Sequence, residues 1–236
     1  MTPRVKFDTS LLPERPNLAF ESDLWGQGIT LVAGVDEAGR GALAGPVAAG
    51  AVVLPPGQDD LMALLSGVRD SKVMAPKARE AWAEVIKTVA RAWGVGMAGP
   101  DEIDRLGIVP ATCLAAARAL EHLGVSPEHL LVDYLTLPNV SVPQTPLVKG
   151  DGRALSIAAA SILAKTARDA LLVDLDHTYP GYGFASNKGY ATRDHRQAIL
   201  ALGPCAVHRR SFAPVSEYDS LFPPDAMDGG TTVSSA

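Results

Sequence analysis

This sequence has few cysteines and no long apolar run, and both absences exclude classes of protein. The 236 residues include two cysteines, Cys113 and Cys205, and neither stands in a CxxC or other close metal-ligand spacing. The five histidines form no HExxH or paired motif, so we expect no zinc site. The longest apolar candidate, residues 42–54, is interrupted by glycine and proline and falls short of the roughly 18 residues of a membrane span. Because an N-terminal apolar signal segment is also absent, we expect a cytoplasmic protein without membrane contact.

The net charge of −5 argues against nucleic-acid binding by the whole surface. Residues 187–212 nevertheless carry five basic residues against one acidic residue, Asp194. A local basic segment of this kind can hold a phosphate backbone. A solvated charged face explains it equally well, so the charge pattern alone leaves both interpretations open. The basic residues are Lys188, Arg193, Arg196, Arg209 and Arg210.

Short apolar runs that alternate with helix-like segments predict an α/β domain. The predicted strands are residues 29–35, 47–54, 92–97, 129–133 and 145–148. The longer predicted helices are residues 76–91, 111–123, 153–176 and 193–202. We expect residues 29–216 to form one domain, residues 1–28 an N-terminal extension that is disordered in part, and residues 217–236 a flexible tail.

Acidic residues stand where predicted strands give way to loops. Asp36 and Glu37 are expected to close the first strand, Asp133 closes a later one, and Asp151 precedes an alanine-rich helix. Strand ends of an α/β domain converge on one edge, and clustered carboxylates repel each other unless cations or protons offset the charge. Such oxygen ligands suit Mg²⁺ or Mn²⁺, and two ions about 4 Å apart can drive phosphodiester hydrolysis. Asp151 as a helix N-cap and Asp133 as a turn residue are the simpler alternatives.

Several sequence blocks together resemble ribonuclease HII. Residues 34–41 (GVDEAGRG) and 44–47 (AGPV) resemble the opening signature of that family. The blocks that follow in the family's order are residues 70–72 (DSK), 131–133 (LVD), 149–151 (KGD), 158–165 (AAASILAK) with 168–169 (RD), 187–192 (NKGYAT) and 208–214 (HRRSFAP). The resemblance spans roughly residues 30–216, and it implies a ribonuclease H-like fold. In that fold helices flank a mixed central β-sheet, and a helical segment follows at the C-terminal end.

The resemblance also implies the residues of the site. Asp36, Glu37, Asp133 and Asp151 would be the catalytic metal ligands, with Asp36 shared between two divalent ions, Mn²⁺ or Mg²⁺. The backbone of residues 39–41 would contact the ribose 2′-hydroxyl that distinguishes RNA from DNA. The residues implied in substrate binding are Gly39, Arg40, Gly41 and Tyr190, with Ser71, Lys72 and Lys188 as phosphate contacts.

Two neighbours of these motifs carry separate expectations. Tyr190 would pack against the deoxyribose that follows the ribonucleotide, although a half-buried structural tyrosine is the alternative. Asp169 lies one helical turn after Lys165, and a charge pair between them is the simplest account of it. The sequence departs from the family at Ala42, where proline is usual, and at Pro110, where a polar residue is common; neither change removes an acidic residue.

The activity implied is a monomeric endonuclease that cuts 5′ of ribonucleotides, leaving a 3′-hydroxyl and a 5′-phosphate. Its substrates would be RNA–DNA hybrids and duplex DNA with embedded ribonucleotides, and its role the removal of ribonucleotides and RNA primers from DNA. One alternative is the related ribonuclease HIII, which has an extra N-terminal domain. Residues 1–28 are too few to form such a domain. The others are a non-catalytic binder of hybrid duplexes and another nuclease of the ribonuclease H-like fold.

Overall fold

A five-stranded mixed sheet forms the centre of the computed structural model, which describes residue 8 and residues 12–221. Its strands are β1 (Val32–Ala38), β2 (Val47–Val53), β3 (Ala92–Ala98), β4 (His129–Asp133) and β5 (Gln144–Leu147), in the order β3-β2-β1-β4-β5. The pairs β1–β2 and β2–β3 are antiparallel, whereas β1–β4 and β4–β5 are parallel. The expected mixed sheet is therefore confirmed.

Nine helices accompany the sheet in the described part of the chain. They are α1 (Ala19–Gly26), α2 (Leu61–Leu64), α3 (Pro76–Val89), α4 (Pro100–Leu106), α5 (Ile108–Glu121), α6 (Leu155–Thr178), α7 (Phe184–Asn187), α8 (Arg193–Leu202) and α9 (Val215–Leu221). The core has two sides: α5 packs against one face of the sheet, and α6 with α3 packs against the other. None of these helices is long and apolar enough to cross a membrane.

Glycine and alanine bring the sheet and its helices into backbone contact. A Cβ added at Gly50 on β2 would lie 2.3 Å from the Ala160 carbonyl oxygen of α6, and one at Gly34 on β1 would lie 2.2 Å from the Ser156 carbonyl carbon. On the opposite face, Gly96 of β3 stands equally close to α5. The alanine-rich stretch of α6 is therefore a contact surface for the central strands, which places β1 directly against this helix.

Helix α6 begins and ends for identifiable reasons. At its start, the buried Glu21 carboxylate of α1 accepts hydrogen bonds from the Ser156 backbone N–H (2.8 Å) and hydroxyl (2.6 Å). Burial raises the pKa of Glu21, and the two hydrogen bonds from Ser156 offset part of that rise. At its end, Tyr179 precedes Pro180, and the residue before a proline disfavours helical backbone angles.

Three predictions made from the sequence differ from the structure. Residues 1–28 are not simply an extension, because α1 lies within them and packs against the domain through Glu21. Strand β1 runs from Val32 to Ala38, so Asp36 and Glu37 lie within it. At these two residues β1 still pairs with β2, whereas its pairing with β4 ends at Val35. Helix α5 begins at Ile108, because Pro110 fits a first turn, where its missing N–H costs no hydrogen bond.

The C-terminal tail was also predicted to start at residue 217. Helix α9 includes residues 217–221, and residues 222–236 lie outside the described residues. The other predicted strands and long helices are confirmed to within two or three residues at each end.

We predict that Gly50→Val destabilises the fold, because its Cβ would overlap the Ala160 carbonyl. Overpacking of this kind typically costs about 1–3 kcal/mol, and chemical denaturation measures it. Gly26→Ala is the matched control, since no described atom lies within 4 Å of a Cβ added there. Equal stability of the two variants would contradict the close approach of β2 and α6.

Candidate active site

Three carboxylates meet at one end of the sheet. Asp36 comes from β1, Asp133 from the end of the adjacent parallel strand β4, and Asp151 from a 3₁₀ turn (Gly150–Gly152) before α6. One potential ligand atom from each lies within 4.8 Å of the others. The Gly150 N–H donates to Asp133 Oδ1 at 2.7 Å, which ties the turn to the strand end. The predicted convergence of these three residues is therefore present.

This group is electrostatically unfavourable without a cation. Asp36 is only 2% exposed, and its burial, followed by repulsion from Glu37 and Asp133, raises its pKa well above the ordinary value. Burial also raises the pKa of Asp133 to about 6, with Asp151 and Glu37 contributing. The Ser161 hydroxyl offsets part of the shift at Asp36, but the buried Oδ2 has no hydrogen-bond partner among the described residues. An unpartnered, buried carboxylate oxygen beside two other carboxylates fits a divalent cation.

Two basic residues flank the carboxylates. Lys72 Nζ lies 3.2 Å from Asp151 Oδ2, and Arg40 Nη1 lies 3.1 Å from Glu37 Oε1. Burial lowers the pKa of the Lys72 ammonium, but attraction from Asp151 and Asp36 outweighs burial and leaves that pKa above its ordinary value. The carboxylate of Glu37 is not part of the group of three, although its charge raises the pKa of Asp36 and of Asp133.

The helix-cap explanation of Asp151 is wrong. The N-cap position of α6 is Ala154, which makes no side-chain cap hydrogen bond. Asp151 lies three residues earlier, is buried, and its carboxylate pairs with Lys72. The turn therefore directs this carboxylate toward the acidic group.

A cavity of about 230 Å³ opens beside the acidic group. It contains most of the residues that the sequence predicted for substrate binding, and it adds Lys165, which was predicted only as a partner of Asp169. The lining residues are Asp36, Glu37, Ala38, Gly39, Arg40, Gly41, Ser71, Lys72, Asp133, Lys165 and Tyr190. One cavity therefore combines carboxylates, a glycine-rich loop, two lysines and an aromatic ring.

The two glycines of the loop have different surroundings. Gly39 has φ +91°, and an added Cβ would lie 2.0 Å from Arg168 Nε. This position needs glycine both for its backbone conformation and for the packing beneath it. At Gly41 no described atom lies within 4 Å of an added Cβ, and its φ is not left-handed. Gly41 lines the cavity, and the open space at its Cα allows a ligand to approach closely.

Tyr190 lies over two cations. Lys165 Nζ is 5.3 Å and the Arg168 guanidinium carbon 5.4 Å from the ring centroid. The backbone carbonyl of Tyr190 lies 2.8 Å from Nδ1 of the buried His195, and this contact joins the segment carrying Tyr190 to α8. The ring therefore lies between the cavity that it lines and the cations near it, which attract its π-electrons.

The remaining predicted residues have mixed outcomes. The buried Ser71 lines the cavity, and its hydroxyl lies 2.9 Å from that of Ser161. Lys188 does not line the cavity; its ammonium donates to the Ala185 carbonyl at 2.6 Å. The pairing of Lys165 with Asp169 is present at 2.7 Å, and Arg79 adds a second ion pair to the same carboxylate.

Two arginines were missed as site residues. Arg168 and Arg209 are fully buried, and both hold the backbone of the loop that starts at Gly39. Arg209 was counted in the basic segment as a candidate surface charge, which its burial contradicts. Both arginines stand in blocks that resemble the family, Arg168 directly before Asp169 and Arg209 within residues 208–214. Neither block reveals which backbone carbonyls the side chain binds.

Comparison with known proteins agrees with this architecture. A family model described as ribonuclease HII matches residues 33–215. The ribonuclease HII of Moorella thermoacetica is 54% identical over 194 residues, which cover 82% of this chain and 92% of that protein. A ribonuclease HII of Thermus thermophilus is 52% identical over 203 residues, covering 86% and 96%. The crystal structure of ribonuclease H2 from Pyrococcus horikoshii matches with a TM-score of 0.67 at 25% identity, covering 81% of this chain and 98% of that one.

The matched region contains the sheet, the acidic group and the glycine-rich loop, and the match confirms the ribonuclease H-like fold. On this evidence the chain belongs to the ribonuclease HII family of divalent-metal-dependent nucleases.

Proposed function

We propose that this chain hydrolyses the phosphodiester bond 5′ of ribonucleotides in RNA–DNA hybrids and of single ribonucleotides embedded in duplex DNA. One observation carries the proposal: Asp36 and Asp133 of the acidic group, the Gly39–Gly41 loop and Tyr190 line a single cavity. Water adds to the phosphorus while the bond from phosphorus to the preceding 3′-oxygen breaks. The products are a 3′-hydroxyl on the preceding nucleotide and a 5′-phosphate on the ribonucleotide.

Asp36, Asp133 and Asp151, completed by Glu37, would hold Mg²⁺ or Mn²⁺. Divalent ions bound there would supply charge neutralisation at the phosphate and a more acidic water for hydrolysis. The protein holds the carboxylates in place through the paired strands β1 and β4 and through the hydrogen bond from Gly150 to Asp133. Most of the electrostatic cost of the site is therefore met during folding, before substrate binds.

The other cavity residues would read the substrate. The open side of Gly41 lets backbone groups approach a ribose 2′-hydroxyl, which DNA lacks. The Tyr190 ring, which lines the cavity, would pack against the following deoxyribose, where a 2′-hydroxyl is absent. Lys72 and Ser71, beside the carboxylates, would contact phosphate. Because Lys188 donates to a carbonyl outside the cavity, its predicted phosphate contact has less support than theirs.

The biological role that follows is removal of misincorporated ribonucleotides and RNA primers from DNA. Residues 29–216 would act as the catalytic domain, with α1 packed on it, and the chain would work as a cytoplasmic monomer. Its contacts with the substrate would be confined to the cavity and to the exposed Arg193 and Arg196 of α8. A confined contact area agrees with the net charge of −5, which disfavours nucleic-acid binding by the whole surface.

We predict that Asp36→Asn abolishes cleavage without harming the fold. Loss of this ligand should lower the rate by at least about 10²–10³-fold, since metal ions contribute several kcal/mol of transition-state stabilisation. Without metal, the variant should melt no lower than the parent protein, because a buried and repelled carboxylate has been removed.

The measurements are nuclease assays, with thermal unfolding in EDTA and in Mn²⁺. Mn²⁺ should raise the melting temperature of the parent protein but not that of Asp36→Asn. Asp174→Asn, an exposed carboxylate on α6, is the control and should retain both activity and the Mn²⁺ response. Full activity in Asp36→Asn would overturn the assignment of the metal site.

We predict a single nick just 5′ of one ribonucleotide embedded in a DNA duplex, mapped on a sequencing gel in Mg²⁺ or Mn²⁺. Gly41→Ala should fold with unchanged stability, since its Cβ meets no described atom, yet it should cut this substrate at least about tenfold more slowly. Gly26→Ala again serves as the control.

Three results would count against this proposal. Cleavage confined to long hybrids would remove the junction-recognition roles but keep the metal site. Normal cutting by Gly41→Ala would remove the loop from ribose recognition. No cleavage of either substrate would favour a non-catalytic binder of hybrid duplexes.

A further inference from the structure

We propose that Arg168 and Arg209 are positioning residues. They hold the loop from Gly39 to Pro46 in a fixed arrangement relative to the segment that carries Tyr190. This arrangement sets the selectivity for single ribonucleotides. The inference rests on the proposed function, because these two segments carry its contacts to the ribose and to the following deoxyribose. Neither arginine lines the cavity, so each would act through the backbone that it holds.

Arg168, on α6, joins the two segments directly. Its Nε donates to the Pro46 carbonyl at 2.8 Å, and its Nη2 donates to the Ala44 carbonyl at 3.1 Å. Its Nη1 donates to the carbonyl of Lys188 at 2.9 Å, two residues before Tyr190. One planar guanidinium thus connects the end of the glycine-rich loop to the tyrosine segment.

Arg209 holds the beginning of the same loop. Its Nη2 donates to the Gly39 carbonyl at 2.7 Å, its Nη1 to the Arg40 carbonyl at 2.8 Å, and its Nε to the Gly45 carbonyl at 3.0 Å. Its own backbone N–H donates to the Leu43 carbonyl at 2.8 Å. Two of the three carbonyls held by this side chain, those of Gly39 and Arg40, belong to the residues proposed to contact the ribose.

The two arginines make no ion pair with any carboxylate within the described residues. Both are 0% exposed, and burial, with repulsion from Arg168, lowers the pKa of Arg209 to about 9. A buried charge without a counter-ion is expensive, and core packing alone would favour an apolar residue. The six hydrogen bonds to carbonyls offset that cost only because the loop has this shape.

The surrounding backbone is shaped to admit Arg168. A Cβ at Gly39 would overlap its Nε, and one at Gly189 would lie 3.4 Å from its Nη2 and 2.4 Å from the Ala44 carbonyl oxygen. The backbone N–H of Leu43 also donates to the Gly189 carbonyl at 2.7 Å, so the two segments touch directly. The Tyr190 ring lies over the same guanidinium. Loop, tyrosine segment and arginine therefore form one packed unit.

The consequence for selectivity follows from the substrates. A single ribonucleotide in DNA offers one productive register, in which the 2′-hydroxyl and the following deoxyribose must be engaged together. A long hybrid offers a 2′-hydroxyl in every register and no adjacent deoxyribose. Loosening one segment relative to the other should therefore harm cleavage at single ribonucleotides more than cleavage of hybrids.

The test uses Arg168→Lys, Arg209→Lys and Arg209→Gln. Lysine keeps the charge but has one nitrogen in place of the three that reach three carbonyls, and glutamine keeps a donor without burying a charge. The measurements are kcat and KM on a single-ribonucleotide duplex and on a long hybrid, with melting temperatures. We expect kcat/KM to fall about tenfold to a hundredfold more on the single ribonucleotide. Mn²⁺ should still raise the melting temperature, because the carboxylates are untouched.

Arg118→Lys is the matched control. Arg118 also donates to a backbone carbonyl, that of Met97 at 2.7 Å, and it pairs with Glu102, but it holds no carbonyl of the loop or of the Tyr190 segment. Its variant should lose stability without changing the ratio between the two substrates. A merely structural role for Arg168 and Arg209 would produce the same pattern as this control.

The outcomes separate the two proposals. If the parent protein does not cut the single-ribonucleotide duplex, the proposed function fails. If the parent protein is active but the folded arginine variants keep its substrate ratio, this inference alone fails. It also fails if none of the three variants folds, since the arginines would then serve the fold alone.

Discussion

The repulsion among carboxylates at the end of β1 is the constraint on which the rest of the site depends. Asp36 is buried within a central strand, and Asp133 and Asp151 bring further negative charge within a few ångströms of it. Such a group is stable only if the surrounding fold is rigid enough to keep it together and a cation can occupy it. The paired strands, the 3₁₀ turn and Lys72 each contribute to one of these two requirements.

Close backbone packing supplies the rigidity. Because Gly34 and Gly50 lack side chains, α6 approaches the sheet until helix and strand backbones touch. The same helix carries Ser161 near Asp36, Lys165 in the cavity and Arg168 beneath the glycine-rich loop. A small shift of α6 would therefore disturb the acidic group, the loop that starts at Gly39 and the segment carrying Tyr190 together. The alanine-rich sequence of this helix is a requirement of the site as much as of the core.

The basic residues around the acidic group fall into two sets, one that lines the cavity and one that is buried outside it. Arg40, Lys72 and Lys165 line the cavity, and each pairs there with a carboxylate. Arg168 and Arg209 lie below it and bind carbonyl oxygens instead of carboxylates. The difference follows from burial: an exposed lysine can change partners in water, whereas a buried guanidinium needs a permanent set of acceptors.

The sequence by itself determined the α/β class and the order of strands and helices, because hydrophobic periodicity is a local signal. It also predicted the acids of the site, three of which the structure brings together. Its motifs were enough to indicate the family. Only the tertiary structure decided that Asp36 lies inside β1, that α1 packs onto α6 through Glu21, and that Lys188 points to Ala185. It also decided that Arg209 is a buried support for the loop at Gly39, 170 residues earlier in the chain. The partners of a polar side chain depend on which distant backbone atoms packing brings within about 3 Å, and no local pattern encodes that.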